Sequence, residues 1–67
     1  EDEVVERLAL RSAIAALPER ERQVIFLRFF KILTQDRAAK VLGVSQVQVS
    51  RIERRAVEHL RQALGEE

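Results

Sequence analysis

The chain has 67 residues, a formal net charge of +1 and an apolar content of 46%. A chain of this length forms one domain and buries only about 60% of the surface it exposes when unfolded, so modest stability is expected. The absence of Cys excludes disulfides and thiolate metal sites, the single His cannot make a metal site alone, and no apolar run approaches the roughly 20 residues of a membrane helix. The chain also contains no Met, which suggests a piece excised from a longer protein. Charge is unevenly spread. Glu1, Asp2, Glu3 and Glu6 crowd the start and Glu66 and Glu67 close the end, whereas Arg51, Arg54, Arg55 and Arg61 outweigh Glu53 and Glu58 between them. That is a local basic stripe on a nearly neutral domain.

In chain order, residues 3 to 16 are strong helix formers, with broad apolar coverage from Val4, Val5, Leu8, Leu10, Ile14 and Leu17. The acidic first turn suits the positive end of a helix dipole. Pro18 punctuates the chain, and because proline is accepted in a helix's first turn but not its middle, a second helix starts there and runs to about Lys31. Thr34 is the expected N-cap of a short third helix ending near Leu42, with Gly43 as its stop. Ser45 and Gln48 form a capping box for a fourth helix, which can run to about Leu64 before Gly65 ends it. The fold class is therefore all-α: a four-helix domain with a C-terminal helix-turn-helix and a long recognition helix.

The pair of helices over residues 34 to 55, joined by Gly43-Val44-Ser45, has the layout whose second helix lies in a DNA groove. Ala39 is the small residue that lets the two helices approach, Gly43 permits the turn, and Val44, Val49 and Ile52 close the pair onto one core. On a wheel of about 100° per residue, Val49, Ile52, Ala56, Leu60 and Ala63 make a buried stripe within about 60°. Val47, Ser50, Arg51, Arg54, Arg55, Glu58 and Arg61 fall on the far side, flanked by Gln46 and Gln48.

Two readings of that far side compete. It is either an ordinary solvated face or a DNA-reading one. Val47 favours the second, since an apolar residue gains nothing in mid-solvent but fits a thymine methyl. Gln46, Ser50 and Arg51, nearest the helix start, can hydrogen-bond to base edges, arginine with guanine and glutamine with adenine. Arg54 and Arg55 lie where a helix leaving the groove meets phosphates. Thr34 and Gln35 stand at a helix N-terminus, where free N–H groups favour an anion.

Taken together, Leu17-Pro18-Glu19-Arg20-Glu21-Arg22-Gln23-Val24-Ile25, then Leu33-Thr34-Gln35, then Gly43-Val44-Ser45-Gln46-Val47-Gln48-Val49-Ser50-Arg51-Ile52-Glu53, resemble region 4 of bacterial sigma-70 family sigma factors. The Ser-Gln-Val-Gln-Val-Ser-Arg run is closest to the alternative, sporulation and general-stress, type. The resemblance covers about residues 15 to 64. It implies a cytoplasmic bacterial domain that reads the minus-35 element of double-stranded promoter DNA while tethered to the β-subunit flap of RNA polymerase, with an anti-sigma factor as a further partner. By position it assigns Gln46, Val47, Ser50 and Arg51 to bases and Arg20, Arg28, Thr34, Gln35 and Arg55 to phosphates. Primary sigma factors carry charged residues where Gln46 and Val47 stand, so the housekeeping promoter sequence is not the expectation. The output domain of response regulators is a related alternative, but the Gln-Val-Ser-Arg-Ile-Glu run matches sigma factors better.

Helix two adds a separate clue, because Val24, Ile25, Phe26, Leu27, Phe29 and Phe30 leave it almost no polar side. Either helix one covers the second apolar face, or Phe26 and Phe30 belong to a partner-binding surface for the flap or an anti-sigma protein. His59, at the edge of the fourth helix's buried stripe, reads as a half-buried structural residue, and Glu53 as the partner of an arginine that the sequence does not identify. No catalytic residues, metal, cofactor or small-molecule substrate are expected, since there is no Cys, a single His, and no carboxylate pair or Gly-rich loop set in a cleft.

Overall fold

The computed structural model describes residues 2–65, and the side chains of 4–65. Four α-helices follow one another: α1 (Asp2–Ala15), α2 (Glu19–Ile25), α3 (Gln35–Leu42) and α4 (Gln46–Ala63). Between α2 and α3 the chain winds through a π-helical turn, Phe26–Phe30. No strand occurs among the described residues. The N-terminal Glu1 and C-terminal Glu66 and Glu67 of the acidic ends lie outside the described residues.

Local chemistry sets the boundaries. Pro18 stands at the N-cap of α2 with Glu19 and Glu21 in the first turn. Thr34 caps α3, its Oγ1 accepting from the Arg37 N–H at 3.1 Å. Gly43 ends α3 with φ of 73°, a left-handed conformation that costs glycine little. Ser45 Oγ accepts from the Gln48 N–H at 3.1 Å, and Gln48 Oε1 accepts from the Ser45 N–H at 3.1 Å, completing the capping box.

Two clusters make the core. Val24, Ala38, Ala39 and Val49 are buried together, with Leu27, Leu42, Val44 and Ile52 packed around them. Leu17, Ile25 and Ala56 form the second, flanked by Ile14 and Leu60. The methyl side chains of Ala38 and Ala39 are what allow α3 to lie close on α4. Glu21, a buried carboxylate, is satisfied by His59 Nδ1–H at 2.6 Å, which ties α2 to α4. Half-exposed His59 is thus a structural tie.

Two expectations need correction, and one of two readings left open by the sequence falls. The second helix does not run as α-helix to Lys31. It becomes π-helical after Ile25, with the Lys31 N–H reaching back to the Phe26 carbonyl at 3.0 Å and the Leu33 N–H to Leu27 at 3.0 Å. These reaches of five and six residues turn Leu27 onto the core while Phe26, Phe29 and Phe30 stay outside. Nor does α1 cover those phenylalanines. Only its C-terminal part packs, through Ala13 and Ile14, whereas Val4, Val5 and Leu8 are themselves exposed. Ala63, assigned to the buried stripe of α4, is exposed, because it borders an open hollow with Ala13, Ala16 and Leu17 that no side chain fills. Ile32 adds a feature that the sequence does not announce: it is 80% exposed and held at φ of 57°, the left-handed region that β-branched residues avoid.

Candidate nucleic-acid interface

The far side of α4 is built from its own helix outward. Val49 and Ala56 are fully buried and fix the rotation of α4, so residues about half a turn away must face solvent. Gln46, Val47, Arg51, Arg54 and Arg55 are exposed there, with Ser50 half-buried. Val47 is 55% exposed, an apolar residue in the middle of a polar face. The first turns of α4 therefore offer an acceptor-donor amide, a methyl-bearing surface, a hydroxyl and a guanidinium side by side. Such a set reads base edges in a major groove, which is wide enough to admit an α-helix.

The remaining assigned residues do not form one continuous track. Thr34 is exposed at the start of α3, its hydroxyl oxygen accepting the cap hydrogen bond and its O–H still able to donate. Gln35 comes next and lies alongside Ser50, Glu53 and Arg54 of α4. Arg20 is exposed on α2 and borders a surface hollow with Gln23 and Leu42, at the end of α3 opposite Thr34 and Gln35. Arg28 is held inward. Its Nε donates to Glu53 Oε1 at 2.7 Å and its Nη1 to the Leu33 carbonyl at 2.8 Å, so its guanidinium joins the π-helical turn to α4. In that position it supports the interface from beneath.

Glu53 is the hub of a polar chain that crosses three elements. Besides Arg28 it accepts from Gln35 Nε2 at 3.1 Å, and Gln35 Oε1 in turn accepts from Gln46 Nε2. Burial pushes the Glu53 carboxyl up, but the hydrogen bonds from Arg28 and Gln35 and the Arg28 charge outweigh it and hold its pKa below the ordinary carboxylate value. The sequence offers no signal for this chain. Arg28 and Glu53 are 25 residues apart and Gln35 and Gln46 are 11 apart, so only the packing of α3 on α4 brings them together.

On the opposite side of the same turn, Phe26 and Phe30 stack with ring centroids 5.9 Å apart, and Lys31 Nζ sits 5.7 Å from the Phe26 ring. Phe29, Ile32 and Val41 are also exposed, and Phe26 borders a shallow apolar hollow with Leu27, Val41 and Leu42. The residues along the Gln35–Glu53 side of α4 and those bordering this apolar hollow do not overlap. Among the described residues no cluster of metal-ligating side chains is present, and no helix is long and apolar enough to cross a membrane.

Comparison with known proteins points to one family. The profile of the family described as Sigma-70, region 4 matches residues 13–62. An RNA polymerase sigma-F factor of Bacillus subtilis is 41% identical over 61 residues, covering 91% of this chain and 24% of that protein. The RNA polymerase sigma factor SigF of Mycobacterium tuberculosis is 44% identical over 63 residues, 94% of this chain and 24% of its own. A sigma-B factor of Bacillus subtilis is 39% identical over 66 residues, 98% of this chain and 25% of its own. The chain spans about a quarter of the length of these relatives.

Proposed function

This chain belongs to the sigma-70 region 4 family, and on that premise we propose that it recognises the minus-35 element of promoter DNA as part of an RNA polymerase holoenzyme. The observation that carries the reading is Val47, exposed among Gln46, Ser50 and Arg51 at the start of a helix whose rotation is fixed by Val49 and whose N-terminus is fixed by the Ser45 capping box. In this reading Val47 packs on a thymine methyl, Arg51 pairs with guanine, and Gln46 and Ser50 complete the base contacts. Arg54, Arg55, Arg20 and the N-terminus of α3 at Thr34 and Gln35 meet phosphates and set the register. Arg28 acts through Glu53.

A net charge of +1 supplies little of the sequence-independent attraction that drives most DNA binding. Tethering to a large DNA-bound partner makes up for that by raising the local concentration of the domain at the promoter. The exposed, stacked Phe26 and Phe30 supply an apolar surface for such a tether, the β-subunit flap, or for an anti-sigma factor that competes with it.

Selection from a pool of random duplexes by the full-length protein on RNA polymerase core tests the DNA reading, with an enriched motif as the expected result. Arg51→Ala should then weaken binding to that motif by about tenfold or more while scarcely changing binding to scrambled duplex, the loss of one bidentate base contact. Arg55→Ala should weaken both and flatten the salt dependence by about one phosphate contact. Equal losses on both duplexes for Arg51→Ala would remove it from the base-reading set.

A further inference from the structure

The polar chain beneath α4 has a direction. A carboxylate only accepts hydrogen bonds, so Glu53 obliges Gln35 to turn its NH2 group inward. The carbonyl Oε1 of Gln35 then faces Gln46, which must answer with its own NH2 group. One N–H of Gln46 is consumed, and its Oε1 and second N–H remain uncommitted among the described residues. A glutamine amide freed to rotate could present either end to a base. Here it is held with the carbonyl available.

We propose that Gln35 and Glu53 are positioning residues that fix the carboxamide of Gln46 and thereby make adenine the base it selects. An outward Oε1 beside one N–H matches the N6 donor and N7 acceptor of adenine in the major groove. Guanine presents two acceptors there, O6 and N7, and the fixed Oε1 repels them. Arg28 contributes by holding Glu53 ionised and in place from the side of the π-helical turn. The inference rests on α4 being the DNA-reading helix. Gln35, assigned from its position to a phosphate, takes on a second role as the link between carboxylate and base.

The test uses the random-duplex selection with four proteins: the unaltered chain, Gln46→Ala, Gln35→Leu and Gln35→Lys. The unaltered chain should enrich a motif, and Gln46→Ala should flatten one position of it, where adenine exceeds guanine by about tenfold. Gln35→Leu removes the link, and adenine preference at that position alone should fall below about threefold, while the Arg51 position keeps its base. Gln35→Lys replaces the acceptor that faces Gln46 by an ammonium donor, which pairs with Glu53 and attracts Gln46 Oε1. The exposed end of Gln46 becomes its NH2 group, and preference should move from adenine to the acceptor bases guanine and thymine.

Circular dichroism monitors helix content in each. Should Gln35→Leu lose helicity, Gln35→Lys decides, since it keeps a partner for Glu53. Adenine preference unchanged in a folded Gln35 variant overturns the positioning role and leaves DNA reading intact. A position flattened by Gln46→Ala that favours another base, or no flattened position, also overturns it. No motif for the unaltered chain removes the DNA reading and this inference with it.

Discussion

The two sides of the π-helical turn are made from five consecutive residues and have opposite characters. On the inner side Leu27 packs on the core and Arg28 has a hydrogen-bonded partner for two of its nitrogens. On the outer side Phe26, Phe29 and Phe30 are exposed, Phe26 stacking on Phe30 with Lys31 over its ring and Phe29 lying under the Arg28 guanidinium. Composition does not separate them, since the apolar residues are mostly on the wet side and a charged one is on the dry side. What separates them is whether a neighbouring element offers a partner. The inner side stabilises the domain, and the outer side offers apolar area to something else.

That contrast predicts a graded set of effects. Leu27→Ala should be the most damaging, at about 2–3 kcal/mol, because it opens space beside Val24 and Val49. Thermal unfolding should register this as a fall in Tm of well over 5 °C, roughly 4–8 °C per kcal/mol in a domain of this size. A loss as small as that of a surface mutation would place Leu27 with the outer side.

Arg28→Ala should cost less, about 1–2 kcal/mol, by leaving the half-buried carboxylate of Glu53 and the Leu33 carbonyl without their partner. It should also change the response to acid. Because the folded pKa of Glu53 is depressed, its contribution is present in full above the ordinary carboxylate value of about 4.3 and is lost as pH falls through the folded value. Melting followed from about pH 6 down to about pH 3 should show a steeper fall for the unaltered chain than for Arg28→Ala. Parallel curves would mean that the pair does not govern Glu53.

Phe26→Glu marks the small end. Stability should change by no more than about 0.5 kcal/mol, since the ring is already half in water. Binding to polymerase core, measured by pull-down with the flap present and deleted, should drop by about tenfold, the loss of one well-placed aromatic anchor. Unfolding in place of weakened binding would return Phe26 to the core.

What the sequence discloses follows the range of the interaction. The Thr34 cap, the Ser45–Gln48 box and the Gly43 stop are each closed within a few residues, and the start of α4 and its exposed Val47 could be located from them. The all-α class and the buried stripe of Val49, Ile52 and Ala56 were legible for the same reason, a period of 3.6 along one helix. The π-helical turn was not, because its winding satisfies Leu27 and Arg28 against elements that come later in the chain. The partner of Glu53 was equally hidden, with several arginines at suitable helical spacing and only α3–α4 packing to choose among them. An apolar excess on helix two was readable, but which phenylalanines stay wet depended on how far α1 reaches.

The division of α4 into a dry stripe and a wet face has a bearing on how this reading head can drift. Val47 and Arg51 are exposed and belong to neither core cluster, so their identities can change without repacking the fold. New preferences at those positions are accessible one substitution at a time. Gln46 is the exception, because it is hydrogen-bonded to Gln35, and through it to Glu53. Replacing it leaves Gln35 to find another partner, so variation at that position should travel with variation at Gln35. The same helix therefore holds letters that can be exchanged freely and one that is exchanged as a pair.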